Sequence, residues 1–336
     1  IDISPLATGP DSLSPAEVLR VISSRVHELV DDQYRTLNDE LVPALHEQGI
    51  RFLGKDEWSK AQRKWLRKYF RTKIEALLSP TSLDPTRPIP RILNKSLCFI
   101  LDLEGRDAFG RACRHAIVQA PRTLPRLIQL PSSLPGTGTS DFVFLSSVIE
   151  QFVSELFPGV KIKGCHQFRV TRNSDLYVDD EEVDDLLRAL ERELFESRYG
   201  AVVRLEIASD CSDTLADYLL EHFELNEQDL YRVDGPVNLN RLLAVYSLLE
   251  RSDLRDPPFT PHIPPTLSRG NVFEAISKGD ILLHHPFDSF LPVVDFVHQA
   301  AEDPNVLAIK HTLYRTKPDS PIVENHERAA RAVKED

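Results

Sequence analysis

Lys310 and Arg315 are the residues of this 336-residue chain whose types and spacing most directly suggest chemistry. Lys310 closes the apolar run Val306-Leu307-Ala308-Ile309, and Arg315 follows a short turn later, with no acid between them. A planar guanidinium fork matches paired phosphate oxygens, and an ammonium adds a compact charge. The pair therefore reads as a site for an anionic ligand, most simply phosphate. A surface ion pair with Asp288 or Asp319 is the competing reading. Upstream, His284-His285 offers two imidazoles that could bind or move protons near neutral pH. Adjacent strand residues face opposite sides, so both can serve one site only if the strand has ended. The bland alternative has one histidine capping the strand end and the other in solvent.

The elements needed to position these groups are legible nearby. Gly279-Asp280-Ile281-Leu282-Leu283 reads as a strand entering the polar turn His284-His285-Pro286-Phe287-Asp288. Phe290, Val293, Val294, Val297 and Ala300 keep a helical period, and Val306 to Ile309 reads as a second strand. This predicts a β-α-β unit with its polar groups at the carboxyl ends of the strands, where open α/β sheets hold ligands.

Other candidate clusters carry a bland reading of equal standing. Arg63, Lys64, Arg67, Lys68, Arg71 and Lys73 place six cations in eleven residues on the helix expected over residues 56–78. They form either a polyanion-facing surface or a solvated helix face. Arg169 and Arg172 lie on an alternating strand and could pair with Asp179, Asp180 or Glu181. Cys98, Cys113, Cys165 and Cys211 stand far apart with no CxxC, which predicts reduced, mostly buried thiols. No GxxxxGK[ST], no strand-linked GxGxxG and no HExxH occurs, so a P-loop, a dinucleotide fold and a zincin site are unsupported.

Along the chain, Ser14-Pro15-Ala16-Glu17 opens a helix carried by Val18, Val21, Ile22, Val26, Leu29 and Val30 to about His46, where Gly49 closes it. Residues 79–92, rich in proline, read as a loop. Strands are expected at 97–103, 116–119, 127–130, 166–172, 203–207 and 230–233, and residues 141–145 lead into a helix. Helices are expected around Val148–Phe157, Val183–Leu194, Leu215–Phe223 and 240–250. Helices covering one side of these strands give an α+β domain. Five prolines between Asp256 and Pro265 mark a linker. The expected division is 1–49, 50–264 and 265–336.

The bulk numbers bound the class. Apolar residues make up 41% and charged residues 27%, as in soluble globular proteins, and no apolar run reaches the length of a membrane span. A net charge of −12 argues against a general nucleic-acid binder but leaves room for a local basic groove. No signal peptide is visible. The chain begins at Ile1, contains no methionine and stops in a helix-like stretch, which points to part of a longer protein.

Taken together, several segments resemble the first family of bacterial polyphosphate kinases. They are Pro121-Arg122-Thr123-Leu124-Pro125-Arg126, Phe168 to Asp175, Asp229 to Asn238, Asp280 to Phe290, and Val306 to Arg315, in order over about residues 10–323. The resemblance implies an α+β multidomain protein: the end of an N-terminal helical domain, a middle α+β domain, and the start of a phospholipase-D-like catalytic domain. It implies reversible transfer of the terminal phosphate of ATP to inorganic polyphosphate through a phosphohistidine, assisted by Mg2+. Such proteins are homo-oligomers, cytoplasmic or peripherally membrane-associated, acting on ATP/ADP and polyphosphate and not on nucleic acid.

Arg315, within Leu313-Tyr314-Arg315-Thr316, matches the family's magnesium-phosphate position. It reads as a phosphate clamp, because a guanidinium has no lone pair for a cation. The family's phosphorylated histidine follows a Gly-Leu-Lys-Thr-His-type segment; none occurs here, and His326 stands in a different context. From Glu324 onward the sequence departs from the family pattern. No catalytic residue is therefore assigned, and the 336 residues alone are expected to be inactive. A non-catalytic polyphosphate- or partner-binding scaffold is the alternative. A phospholipase-D-like phosphodiesterase would need an HxK pair, which is absent from the sequence.

Overall fold

Ser14 starts the first helix as its neighbours dictate. Its hydroxyl accepts the Glu17 N–H, the Glu17 carboxylate accepts the Ser14 N–H at 2.8 Å, and Pro15 fills the first helical position. The computed structural model describes residues 13–83, 90, 92–106, 114–138, 140–173, 200–268, 270–313 and 320–331. Helix α1 (Pro15–Arg35) runs through a π turn at Thr36–Leu41 into α2 (Val42–Glu47). Gly49, at φ 77°, ends the run. Only part of the expected apolar stripe is used: Val30 and Tyr34 are buried, whereas Val21, Ile22 and Leu29 face solvent.

The chain continues as β1 (Ile50–Phe52), α3 (Lys60–Tyr69), β2 (Ser79–Leu83), β3 (Leu97–Glu104), β4 (His115–Ala120), β5 (Leu127–Gln129), β6 (Ser140–Phe144) and α4 (Leu145–Phe152). Then come β7 (Lys161–Arg172), β8 (Val202–Ala208), α5 (Asp213–Phe223), β9 (Leu230–Val233) and α6 (Ala244–Leu248). Six strands form one sheet in the order β2-β4-β3-β7-β8-β9, antiparallel except for the β8–β9 pair. That parallel pair needs a crossover, which α5 supplies. A smaller sheet, β1-β6-β5, pairs β1 parallel to β6. There the buried Asp141 carboxylate holds Arg51 through two bonds of 2.7 and 2.6 Å.

β3 shows why its sequence reads as one apolar run. Leu97, Phe99 and Leu101 join one core with Leu66 of α3 and Val148 of α4, while Cys98 and Ile100 join another with Leu215 and Leu219 of α5. Alternate side chains are thus buried on opposite faces, so no polar period survives. Helices cover both faces of the sheet, where the sequence reading expected one. Each fully buried aromatic such as Phe99 or Phe168 contributes about 1.5–3 kcal/mol. Burial also pushes the Cys98 thiol up to about 12 and Cys211 up to about 11, so both are inert protonated thiols near neutral pH.

Residues 79–92 are not all loop. Pro80 lies in β2, an edge strand paired only with β4, where a missing N–H can be tolerated. The helix expected at Val183–Leu194 lies outside the described residues, as does Cys113.

Two compact units divide the chain, Ile1–Glu250 and Arg251–Asp336. The second holds α7 (Val272–Ile276), α8 (Leu291–Glu302) and α9 (Pro321–Arg331). α8 forms where the helical period predicts it. Its expected flanking strands do not form among the described residues: Leu282 is 90% exposed and Leu307 81% exposed. Among the described residues the β-α-β expectation is corrected to a helix with two apolar flanks, of which only Ala308 makes a single β-bridge. An apolar run signals a need for burial, but a strand also needs a hydrogen-bonding neighbour.

Candidate functional site

The turn before α8 is built around Asp288. Its carboxylate accepts the His284 N–H at 2.8 Å and lies 3.4 Å from the His262 ring, and its own N–H donates to the His284 carbonyl at 2.8 Å. The His284 N–H, more than any other contact, holds the Asp288 carboxyl below the usual carboxylate range. His262 also exchanges backbone bonds with Phe287 and Ser289. His285 turns its Nδ1 onto the Asp288 carbonyl at 2.8 Å and its ring edge toward Phe290. His284 is exposed, with its ring against Phe287. One histidine thus closes the turn and the other faces solvent, as the bland reading has it, although no strand precedes them.

Lys310 is exposed at the end of the apolar run, and among the described residues it has no ion-pair partner. Asp288 is engaged by His284 and His262, so the competing ion pair with Lys310 does not form. Arg315 and Asp319 lie outside the described residues. The structure therefore places Lys310 and the His284–Asp288 turn but leaves their geometry with Arg315 undescribed.

A histidine contact escaped the sequence reading. His311 Nδ1 lies 3.0 Å from Nε2 of His326, which is buried on α9. On the neighbouring helix His298 meets Asn325 at 3.2 Å. The visible signal was Asn325-His326 at helical spacing from Ile322 and Ala329, which buries the polar pair on the inner face of α9.

In the first unit, the three arginines of the basic helix find partners within the unit. Arg67 and Arg71 each reach Glu155 at 2.6 Å, and Arg63 donates to the Lys55 carbonyl and lies over the Trp58 ring. Lys64, Lys68 and Lys73 remain exposed. On β7, Arg169 finds a partner other than those expected. Arg169 pairs through two bonds with the buried Glu206 across the β7–β8 ladder and donates to Asn238 at 3.1 Å. Arg172 donates to the carbonyls of Ile92 and Gly200. Asp179, Asp180 and Glu181 lie outside the described residues. Cross-strand register, which places Arg169 opposite Glu206, could not be read before the pairing was known.

A cleft of about 680 Å³ opens beside this network, with Asn38, Glu150, Asp210 and Asp234 among its polar lining. Burial raises the Glu150 carboxyl, against the pull of Lys55 at 2.6 Å. Among the described residues no three His, Cys, Asp or Glu side chains are grouped to hold a metal ion. Arg315 has no lone pair to offer. The described residues thus do not fit a protein cage for Mg2+.

These features define an α+β chain with an exposed cationic segment and a sheet-centred polar network, and comparison with known proteins identifies its class. Three family models match in order: the polyphosphate kinase N-terminal domain over residues 4–53, the middle domain over 61–245, and the first C-terminal domain over 271–335. The polyphosphate kinase of Pseudomonas aeruginosa is 52% identical over 328 residues, covering 97% of this chain and 47% of that relative. Those of Xylella fastidiosa and Burkholderia multivorans are 49% and 47% identical, covering 98% and 99% of the chain and 47% and 48% of those relatives. The crystal structure of polyphosphate kinase from Porphyromonas gingivalis shares the fold, with a TM-score of 0.75 at 24% identity, over 94% of this chain and 46% of that one.

The chain belongs to the polyphosphate kinase family. It spans about half the length of the curated relatives it matches.

Proposed function

We propose that this chain supplies the N-terminal, middle and first C-terminal parts of a polyphosphate kinase. That enzyme would move the terminal phosphate of ATP onto inorganic polyphosphate, and back, through a phosphohistidine. The observation that carries the reading is the match of three polyphosphate kinase domain models in sequence order. Splitting the transfer through a histidine turns one difficult displacement into two easier ones. Lys310 and Arg315 would hold the oxygens of the transferring phosphate, Arg315 as a bidentate fork. Magnesium would belong to the nucleotide's phosphates rather than to a protein cage, and no role of these residues depends on it. The reading also keeps a homo-oligomer, cytoplasmic or peripheral to the membrane; among the described residues no helix is long and apolar enough to cross one.

The test separates binding from turnover. The purified chain is titrated with polyphosphate and then incubated with ATP, Mg2+ and a polyphosphate primer, with products followed by phosphorus NMR. No Gly-Leu-Lys-Thr-His-type segment occurs in its 336 residues. The expected result is polyphosphate binding that weakens roughly tenfold or more in Arg315→Ala and Lys310→Ala, without net transfer. Net synthesis by these residues alone would overturn the assignment of the nucleophile elsewhere. Unchanged binding in both variants would overturn the phosphate-clamp roles.

The scaffold alternative, working through the Arg63–Lys73 helix, loses support because Arg67 and Arg71 are both spent on Glu155.

A further inference from the structure

Arg126 sits just ahead of β5, and its carbonyl accepts the Leu145 N–H at 2.9 Å, which fixes it beside the first turn of α4. One arm of its guanidinium, Nη2, reaches the Ala120 carbonyl at a long 3.5 Å. The other, Nη1, is buried with no hydrogen-bond partner. Burial, Arg241 and Arg122 together lower its basicity to about 10. Among the described residues no carboxylate pairs with Arg126 or Arg241, and the nearby Cys98 thiol stays protonated. A partly buried guanidinium with two cationic neighbours and no counter-charge is costly unless an anion arrives to share it.

A small space lies beside it. Arg126 and Arg241 both line a cavity of about 30 Å³, together with Gln167, Asn238, Ser146 and six apolar residues. Its lining includes no acidic side chain. Ser146 belongs to the first turn of α4, whose N-cap, Phe144, offers no side-chain cap, so the positive end of that helix adds to the field. Gln167 is already committed to the Gly235 carbonyl and the Val237 N–H, which keeps the wall rigid. This water-scale space can take one oxygen of an anion held at the guanidinium groups and excludes a nucleoside.

We propose that this cavity binds a single phosphate-type oxyanion between the guanidinium groups of Arg126 and Arg241. It lies in the first unit of the chain, whereas Lys310 and Arg315 belong to the second. Its ligand is either free orthophosphate or the terminal phosphate of a polyphosphate chain, since both present the same oxygens to a guanidinium fork.

The test is calorimetric titration of the whole chain with orthophosphate, against sodium chloride at matched ionic strength, with thermal unfolding as a second readout. Saturable one-site binding and a rise in Tm are expected. Arg241 is exposed and repels Arg126, so Arg241→Gln should not lower the ligand-free Tm while weakening binding roughly tenfold. Arg126→Lys, which keeps the charge and loses the fork, should weaken binding as well. Repeating the titration in Lys310→Ala/Arg315→Ala keeps this site apart from the clamp proposed above, and binding should persist there. Tripolyphosphate binding more tightly than orthophosphate in that background, with the advantage lost in Arg241→Gln, assigns the site to a chain end. Equal affinities assign it to the free ion. No saturable binding beyond the chloride control overturns the proposal, as does wild-type affinity in both Arg241→Gln and Arg126→Lys.

Discussion

Glu206 shows how much one buried charge depends on its company. Its carboxylate is 3% exposed and is held by Arg169 from one side and by Arg204 Nη2 at 2.9 Å from another, while the Arg204 guanidinium lies 3.9 Å above the Tyr231 ring. Removing one partner leaves charge in low dielectric, so Arg169→Ala should cost about 3–5 kcal/mol in denaturant unfolding. Replacing both Arg169 and Glu206 by apolar residues of similar volume should cost much less, and a double-mutant cycle would show the difference. His115 gives the pH dependence. Its Nδ1 is buried without a partner, and burial holds its pKa below the ordinary value of 6.5. The unfolded chain therefore takes up the proton first as pH falls. The stability His115 contributes is present above about pH 6.5 and is lost as pH drops through its lower folded value. Urea midpoints at pH 7 and pH 5 should show this loss, and His115→Gln should reduce it.

At the scale of elements, the join between α1 and β9 rests on a glycine. Gly235 has φ 150°, and a Cβ there would meet the Tyr34 ring at 3.2 Å, while the Tyr34 hydroxyl donates to the Pro236 carbonyl at 2.7 Å. Gly235→Ala should cost roughly 1–3 kcal/mol in thermal unfolding, through strain and a displaced tyrosine. Most of the first unit's elements were legible because a helical period survives where one face is buried, as in α5, and because in β8 the charged Arg204 and Glu206 alternate with apolar residues although both faces are largely covered. β1 was missed because three residues show no period, and β2 because Pro80 begins a proline-rich stretch that reads as loop. The flanks of α8 were over-read, since 281–283 and 306–309 have strand composition but form no strand among the described residues beyond a single bridge at Ala308. Of the expected cationic pair, the structure places Lys310, while Arg315 lies outside the described residues. The Arg126–Arg241 cavity was not legible, because residues 115 positions apart in sequence meet only after β5, α4 and the 239–243 turn are in place.

For the whole molecule, the two units differ in how much they bury. The first carries three apolar clusters, whereas in the second Leu282, Phe287, Phe290, Leu291 and Leu307 are exposed. Denaturant unfolding should therefore be biphasic by circular dichroism, with the second unit melting first. Limited proteolysis should cut first within the proline-rich stretch between Asp256 and Pro265 or beyond it. A single transition with no early cleavage would contradict the division. The exposed apolar runs should also bind a hydrophobic dye, and Leu282→Asp with Leu307→Asp should lower that signal. The bonds of α1 add a matter of timing. Its His27 ring reaches the Leu230 carbonyl across 203 residues, and Tyr34 and Asn38 reach Pro236 and Asp234. At about 5–20 residues made per second, the helix leaves the ribosome roughly 10–40 s before its partners exist. For that interval Val30 and Tyr34 have no strand to cover them, so the newborn chain depends on whatever shields an amphipathic helix until β9 is made.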